Sequence, residues 1–275
     1  GAAYDIAPKV FHELGAEVIA CEISPTGFNI NEKCGVMDSQ LLTQKVVEHK
    51  ADLGIALDGD ADRVVVVDEN GQVIDGDQII ASLAQYLLEN NLLRNNLVTT
   101  TIMSNMGLEL YLKTIGIDLI RTSVGDKYVV EKMGELGCNL GGEQSGHIII
   151  GSNQATGDGI KAALGVLAMY RQAQNPISKV LNKFVPVPQF TRNIRYDHKY
   201  YHKFTTLRGE KIEEISKFYQ ERYAKSVRVV IRQSGTEPII RLMVESQNAD
   251  LAQNLLTEMQ NKIENEIQSL LENSK

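Results

Sequence analysis

Several features that define other protein classes are scarce in this 275-residue sequence. It has only three cysteines, Cys21, Cys34 and Cys138, and they form no CxxC pair, which excludes a zinc framework and a secreted disulfide scaffold. Its 6 prolines exclude a Pro-rich or collagen-like chain. No apolar run approaches the roughly 18 residues of a membrane-spanning helix, so we expect no membrane partner. We expect reduced thiols in a cytoplasmic protein.

Basic residues are also in the minority. Lys and Arg number 28 against 35 Asp and Glu, which gives a formal net charge of −7. A general attraction to the nucleic-acid backbone is therefore not expected. The sequence contains no GxxxxGK[ST] P-loop and no GxGxxG motif after a strand. We expect a small-molecule partner and no nucleic acid.

Strand-like and helix-like segments alternate along most of the chain, which is typical of α/β architecture. The pattern changes at the PVP segment, residues 186–188, which predicts a linker. We therefore expect mixed α/β domains followed by a small α+β C-terminal domain. The predicted domains are residues 1–74, 75–187 and 188–275.

Local patterns predict individual elements. Residues 17–22 have the pattern of a strand, and residues 53–57 and 64–67 predict two strands on either side of an acidic loop. Asp38 and Asp77 are predicted helix N-caps, because an aspartate in that position accepts a hydrogen bond from a backbone N–H of the first turn.

The acidic loop, DGDADR at residues 58–63, contains Asp58, Asp60 and Asp62 at alternate positions. In an extended backbone this spacing projects three carboxylates to one side, where a divalent cation such as Mg²⁺ would relieve their repulsion. An EF-hand is excluded because Arg63 occupies the position where the sharp turn needs glycine. A solvated acidic turn is the alternative interpretation.

A second loop, GGEQSGH at residues 141–147, combines glycines with Glu143, Ser145 and His147. These side chains offer the hydrogen-bonding groups that sugar hydroxyls need. A glycine-rich turn with exposed polar side chains is the alternative, and an isolated histidine is more often structural than catalytic.

A third loop, RQSGTEPIIR at residues 232–241, places hydroxyl and guanidinium groups around a glycine turn, where they can converge on one anion. The residues concerned are Arg232, Ser234, Gly235, Thr236 and Arg241. An ordinary hairpin turn is the alternative. Taken together, the three loops suit a metal, a polyol and a phosphate, which indicates a phosphosugar enzyme.

At these loops the sequence resembles the α-D-phosphohexomutase family, whose members carry DGDxDR, GExSGH and RxSGTEPxxR motifs in this order. Gln144 and the segment VGDKYVVEKM from Val124 resemble the branch that acts on glucosamine phosphates. The phosphomannomutase/phosphoglucomutase branch tends towards GEMSGH. Ala61 stands where the family often has Gly, and Gln233 where it often has Pro.

The resemblance implies interconversion of glucosamine 6-phosphate and glucosamine 1-phosphate, which feeds amino-sugar and cell-wall precursors. The reaction would run through a phosphoserine and glucosamine 1,6-bisphosphate. Asp58, Asp60 and Asp62 would hold Mg²⁺, and Arg63 would lie beside the phosphoryl group being transferred.

The resemblance also implies roles for the other loops. Glu143 and Ser145 would bind sugar hydroxyls, and Lys127 and His147 are candidates for acid/base or charge-stabilising roles. The phosphate that does not react would be held by Arg232, Ser234, Gly235, Thr236 and Arg241.

The family's nucleophile loop, a serine in a context such as [ST]ASHNP, is missing, since none of the 5 histidines follows a serine. We therefore expect a C-terminal portion of the enzyme that is inactive by itself. A phosphatase of the haloacid dehalogenase type is disfavoured, because the acidic loop lacks the Thr or Val of DxDx[TV]. A phosphomannomutase/phosphoglucomutase and a non-catalytic phosphosugar-binding module stay open, as does a homodimer.

Overall fold

The computed structural model describes residues 1–151, 156–197, 209–223, 226–234 and 237–272. The chain forms two compact units, Gly1–Val185 and Pro186–Lys275. The loops DGDADR and GGEQSGH belong to the first unit, and the loop RQSGTEPIIR belongs to the second. The division into three domains remains a prediction.

A small antiparallel sheet carries the acidic loop in the first unit. Its strands, in spatial order, are β1 (Leu53–Leu57), β2 (Val64–Asp68) and β3 (Val73–Ile74). β2 is buried along its whole length and lies between the other two strands. Because Leu57 pairs with Val64, the intervening residues 58–63 must reverse the chain at the end of the sheet. Helices α1 (Ile6–Glu13) and α2 (Gln40–His49) precede β1.

A mixed sheet carries the loop GGEQSGH. Its strands are β4 (Leu97–Thr101), β5 (Asp118–Thr122), β6 (Leu140–Gly142) and β7 (Ile148–Ile150), in the order β5-β4-β6-β7. β4 is parallel to both β5 and β6, whereas β7 is antiparallel to β6. β5 thus lies on one side of β4, and β6 lies on the other. The carboxyl ends of β4 and β6 therefore form a topological switch point, the place where ligands bind in open α/β sheets.

One apolar core joins the two sheets of this unit. It extends from α1 and β2 through helix α3 (Gly76–Glu89) to β4 and β6. All of the first nine residues of α3 are buried, and each fully buried Ile or Leu contributes about 1.5–3 kcal/mol. The remaining helices of the unit are α4 (Met106–Thr114), α5 (Asp126–Leu136), α6 (Gly159–Ala173) and α7 (Ile177–Leu181).

The second unit is a three-stranded antiparallel sheet with helices. Its strands, in the order β8-β10-β9, are β8 (Gln189–Arg195), β9 (Val227–Gln233) and β10 (Ile239–Ser246). Helices α8 (Gly209–Arg222) and α9 (Ala249–Glu272) complete it, and α9 packs Leu255, Leu256 and Met259 into the core. The expected α/β and α+β fold class is confirmed. Over the part of the chain that the structure describes, no helix is both long enough and apolar enough to cross a membrane.

The strand predicted at residues 17–22 is wrong. The structure has no regular element there, and no described strand pairs with this segment. A strand needs a neighbour for its backbone hydrogen bonds, so its apolar pattern alone is not sufficient.

The two predicted helix caps are also displaced. The N-cap of α3 is Asp75, which accepts a hydrogen bond from the Gln78 N–H at 3.1 Å, whereas Asp77 lies wholly buried in the first turn. Ser39 is the N-cap of α2, and Asp38 accepts from the Gln40 N–H at 3.3 Å. Asp and Ser are both favoured N-cap residues, so where two of them lie close together the pattern does not fix which one becomes the cap.

Candidate active site

The acidic loop brings its three aspartates together. One carboxylate oxygen from each of Asp58, Asp60 and Asp62 lies within 4.8 Å of the others. The backbone is a turn and not the extended segment that the alternate spacing suggested: the Ala61 N–H donates to the Asp58 carbonyl at 3.3 Å, and Ala61 has φ of +64°. The predicted clustering is therefore present, but a tight turn produces it.

Two of the three carboxylates have a protein partner on one oxygen. Asp58 Oδ1 accepts from the Arg63 backbone N–H at 3.1 Å, and Asp62 Oδ2 lies 3.1 Å from His147 Nδ1. Among the described residues, the buried Asp62 Oδ1 has no hydrogen-bond partner. Oxygen atoms with unused lone pairs in a cluster of like charge suit a hard divalent cation, so the residues fit Mg²⁺.

Arg63 lies beside this cluster. Its Nε is 3.8 Å from both Asp58 Oδ2 and Asp62 Oδ1, which is too long for a hydrogen bond but close enough to offset charge. Its side chain is 41% exposed, so the guanidinium remains accessible to a ligand at the loop.

The loop GGEQSGH is bonded directly to the acidic loop. The Val64 N–H donates to the Gly146 carbonyl at 3.0 Å, and Arg63 and His147 form an isolated antiparallel bridge. Gly146 has φ of +91°, and a Cβ there would collide with the Val64 carbonyl. Only glycine permits this approach, so the two loops form one backbone-bonded block.

Glu143 and Gln144 connect this block to two helix starts. Glu143 Oε1 accepts from the Gly125 N–H at 3.2 Å, just before α5. Gln144 Nε2 donates to Asp75 Oδ2 at 3.3 Å, at the N-cap of α3, and burial raises the pKa of Asp75 above its ordinary value. Ser145, the next residue, is exposed. The loop thus offers a carboxylate and an exposed hydroxyl near the switch point of the sheet.

Lys127 lies in the first turn of α5, exposed, with its ammonium 5.9 Å from the centroid of the Tyr128 ring. It lies two residues after Gly125, the residue bonded to Glu143, so it belongs to the same edge of the sheet. Sequence reasoning did not assign a role to the neighbouring Asp126, whose Oδ2 is 3.9 Å from His147 Nε2. It also missed Gly157, whose N–H donates to the same nitrogen at 2.8 Å. The glycines flanking these loops were the available signal.

The third loop lies in the second unit. Arg232 on β9 and Arg241 on β10 are directly opposite each other in the strand register. Burial, and secondly the charge of Arg241, lowers the pKa of Arg232. Within the described residues neither Nε has a hydrogen-bond partner, and Glu237 lies 3.5 Å from Arg241 Nη2.

Two neighbouring guanidinium groups of this kind suit a phosphate dianion. Ser234 is buried at the end of β9, and its Oγ accepts from the Glu237 N–H at 3.2 Å. Gly235 and Thr236, which the sequence also assigns to this loop, lie outside the described residues.

Models of one protein family match three parts of the chain. The phosphoglucomutase/phosphomannomutase alpha/beta/alpha domain II model matches residues 1–71, the domain III model residues 75–187 and the C-terminal domain model residues 202–262. The chain belongs to the phosphoglucomutase/phosphomannomutase family. The family resemblance seen in the three loops is thereby confirmed.

Curated members of the family are similar over nearly the whole chain. A phosphoglucosamine mutase from Zymomonas mobilis is 48% identical over 256 residues, which are 93% of this chain and 56% of that protein. One from Parvibaculum lavamentivorans is 46% identical over 264 residues, or 96% of this chain and 58% of that protein. The chain thus spans little more than half the length of these relatives.

Solved structures in the family share the fold. A phosphoglucomutase/phosphomannomutase family protein from Burkholderia thailandensis superposes with a TM-score of 0.76 at 20% identity, over 95% of this chain and 57% of that one. Aspergillus fumigatus N-acetylphosphoglucosamine mutase, in complex with GlcNAc-6P and magnesium, gives 0.66 at 20% identity, over 90% of this chain and 59% of that one.

Proposed function

We propose that this chain carries the metal, sugar and phosphate sites of a phosphoglucosamine mutase, which interconverts glucosamine 6-phosphate and glucosamine 1-phosphate. The proposal rests on the backbone-bonded block of the loops DGDADR and GGEQSGH, which holds a cluster of three carboxylates and a loop rich in polar side chains together in one unit. Curated phosphoglucosamine mutases at 46% and 48% identity support the choice of substrate.

Asp58, Asp60 and Asp62 are proposed to hold Mg²⁺, because their oxygens cluster and the buried Asp62 Oδ1 is unpartnered among the described residues. When bound, Mg²⁺ neutralises negative charge that develops on a transferring phosphoryl group. Arg63, at the end of the same loop, is proposed to place a positive charge beside the phosphoryl group.

The phosphoryl group is proposed to move from a phosphoserine to the free hydroxyl of the sugar monophosphate, which gives glucosamine 1,6-bisphosphate. The serine then takes back the other phosphoryl group. The serine is assigned to a segment outside these 275 residues, because no histidine here follows a serine as in the family's nucleophile loop. The chain alone is therefore proposed to be inactive.

The remaining residues bind and orient the sugar. Glu143 and Ser145 are proposed to bind its hydroxyls, and Lys127 and His147 are the candidates for proton transfer or charge stabilisation. The phosphate that does not react is assigned to Arg232, Ser234, Gly235, Thr236 and Arg241. The domain divisions at residues 74/75 and 187/188 and the cytoplasmic location belong to the same proposal.

The test compares substrates with a protein that also contains the phosphoserine segment. Glucosamine 1-phosphate should have a higher kcat/KM than glucose 1-phosphate or mannose 1-phosphate, with Mg²⁺ and a trace of the 1,6-bisphosphate present. Equal or better kcat/KM for mannose 1-phosphate would assign the chain to the phosphomannomutase branch. Binding without turnover would favour a phosphosugar-binding module.

A further inference from the structure

His147 ends the loop GGEQSGH and is 2% exposed, and both of its ring nitrogens have protein partners. Nε2 accepts a hydrogen bond from the Gly157 N–H at 2.8 Å. An imidazole nitrogen that accepts a hydrogen bond carries no proton, so the proton of the neutral ring lies on Nδ1. Nδ1 is 3.1 Å from Asp62 Oδ2. The ring therefore donates to Asp62.

The surroundings of Nε2 support this assignment. Asp126 Oδ2, at 3.9 Å, is too distant to accept a hydrogen bond from that nitrogen. Gly157 covers it closely, since a Cβ at Gly157 would lie 2.7 Å from Nε2. With one nitrogen covered by backbone and the other bonded to Asp62, neither is directed towards a sugar hydroxyl, as proton transfer to substrate requires.

The hydrogen bond to Asp62 orients that carboxylate. Oδ2 is occupied by His147, which leaves Oδ1 as the oxygen without a hydrogen-bond partner among the described residues. Asp58 is oriented in a similar way by the Arg63 backbone N–H. Hydrogen bonds to the second oxygen of a metal-binding carboxylate fix its orientation and raise its metal affinity.

The position of the imidazole is itself set by the backbone. The backbone of His147 pairs with that of Arg63, the residue immediately after Asp62. This pairing brings the imidazole of His147 close to the carboxylate of Asp62. The Gly157 N–H then fixes the rotation of the ring. The bridge to Arg63, the Gly157 N–H and the contact with Asp62 together fix the position of the imidazole.

We infer that His147 is a positioning residue of the acidic loop, whose Nδ1–H holds Asp62 so that Asp62 Oδ1 faces a bound divalent cation. The inference rests on the proposed function, whose metal site it deepens. It assigns His147 a role through Asp62, and it leaves Lys127 as the candidate for proton transfer.

The experiment measures Mn²⁺ binding to the 275-residue chain, with free Mn²⁺ followed by electron paramagnetic resonance. His147→Asn places an amide N–H where Nδ1 lies in the ring, whereas His147→Gln places it about one bond further out. His147→Gln should raise the Kd for Mn²⁺ about 10- to 100-fold. His147→Asn should keep a Kd close to that of the parent. Far-UV circular dichroism checks that each variant is folded.

The ring proton is tested independently by long-range ¹H–¹⁵N NMR of the parent chain, with the His147 signals identified by their loss in His147→Asn. The signals should show the Nδ1–H form. A ring protonated on Nε2 would overturn the inference, and this measurement remains decisive even if His147→Gln does not fold.

The outcomes separate this inference from the proposed function. If His147→Gln binds Mn²⁺ as tightly as the parent while Asp60→Asn binds it weakly, the metal site stands and the role of His147 is wrong. If Asp60→Asn binds Mn²⁺ as well as the parent, or the parent does not bind it, the metal site and the inference fail together.

Discussion

The acidic loop of the first unit brings negative charges together, and the arginine pair of the second unit brings positive charges together, by different structural means. Asp58 and Asp62 are held by a turn, by a backbone N–H and by a histidine from another loop. Arg232 and Arg241 are placed opposite each other by the register of β9 and β10, and Glu237 lies 3.5 Å from Arg241. The aspartates are thus brought together by contacts between loops, and the arginines mainly by strand pairing.

This difference predicts which substitutions should weaken each site. Like charges directly opposite on a sheet are destabilising, and like carboxylates in a turn repel in the same way. Binding of an ion of opposite sign relieves either repulsion. The acidic loop should lose its metal affinity when one of its hydrogen-bond partners is lost, whereas the arginine pair should lose its phosphate affinity mainly when Arg232 or Arg241 itself is replaced.

The largest expected effect tests the acidic loop. Asp60→Asn keeps the shape of the side chain but removes one charge, so turnover in the protein with its phosphoserine segment should fall on the order of 100-fold. Steady-state assays over a range of Mg²⁺ concentrations measure it. Asp118→Asn, at an exposed position outside the loop, is the matched control. Equal activity of the two variants would remove the acidic loop from the mechanism.

The next effect tests the arginine pair. Arg241→Ala removes a charge-assisted contact to phosphate worth about 1.5–3 kcal/mol, so KM should rise roughly 10- to 100-fold. Inorganic phosphate should also raise the Tm of the parent chain more than that of the variant. Arg192→Ala is the control, because Arg192 on β8 bonds to Gln260 and not to a second arginine. An equal loss in both variants would contradict the assignment.

A third prediction concerns a buried carboxylate outside both sites. Asp77 is wholly buried, and burial raises its pKa to about 7. The native state then binds a proton more tightly than the unfolded state, so stability should decrease as pH rises from about 4 to about 7 and level off above that.

Asp77→Asn should remove about 2–3 kcal/mol of this decrease between pH 5 and pH 7.5. Urea unfolding followed by far-UV circular dichroism measures it, since the sequence has no tryptophan. Asp118→Asn should retain the parent's pH dependence. If both variants retain it, ionisation of Asp77 does not control stability in this range.

The smallest expected effect concerns backbone strain in the acidic turn. Ala61 has φ of +64°, where a Cβ is unfavourable, so Ala61→Gly should stabilise the chain by about 0.5–1 kcal/mol after the entropy cost of glycine in the unfolded state. Ala56→Gly in β1 should destabilise it, since glycine weakens a strand. Urea unfolding compares the two. Destabilisation by Ala61→Gly would show that the turn is not strained at this residue.

The sequence was most informative where local chemistry decides the structure. Gly137 in the left-handed conformation ends α5, and Asp158 caps α6 by accepting from the Lys161 N–H, both in line with the general preferences of glycine and aspartate at helix ends. The strand at residues 17–22 could not be judged in this way, because strand formation depends on a pairing partner distant in sequence.

The candidate site shows the same limit. The clustering of Asp58, Asp60 and Asp62 could be predicted, but not the turn that produces it. The pairing of Arg63 with His147 could not be predicted, because it joins loops that are more than 80 residues apart in the chain. Tertiary contacts of this kind leave no local pattern, and only the glycines at 146 and 157 hint at a close approach.

The bridge between Arg63 and His147 restricts how such an enzyme can diversify. An insertion or deletion within residues 143–147 would shift this bridge by one residue and turn His147 away from Asp62, so loop length is constrained by the acidic loop. New sugar preferences should therefore arise by replacing side chains that the bridge leaves exposed, such as Ser145. Laboratory libraries that keep the loop length and vary that position should retain more active variants than libraries that change the length.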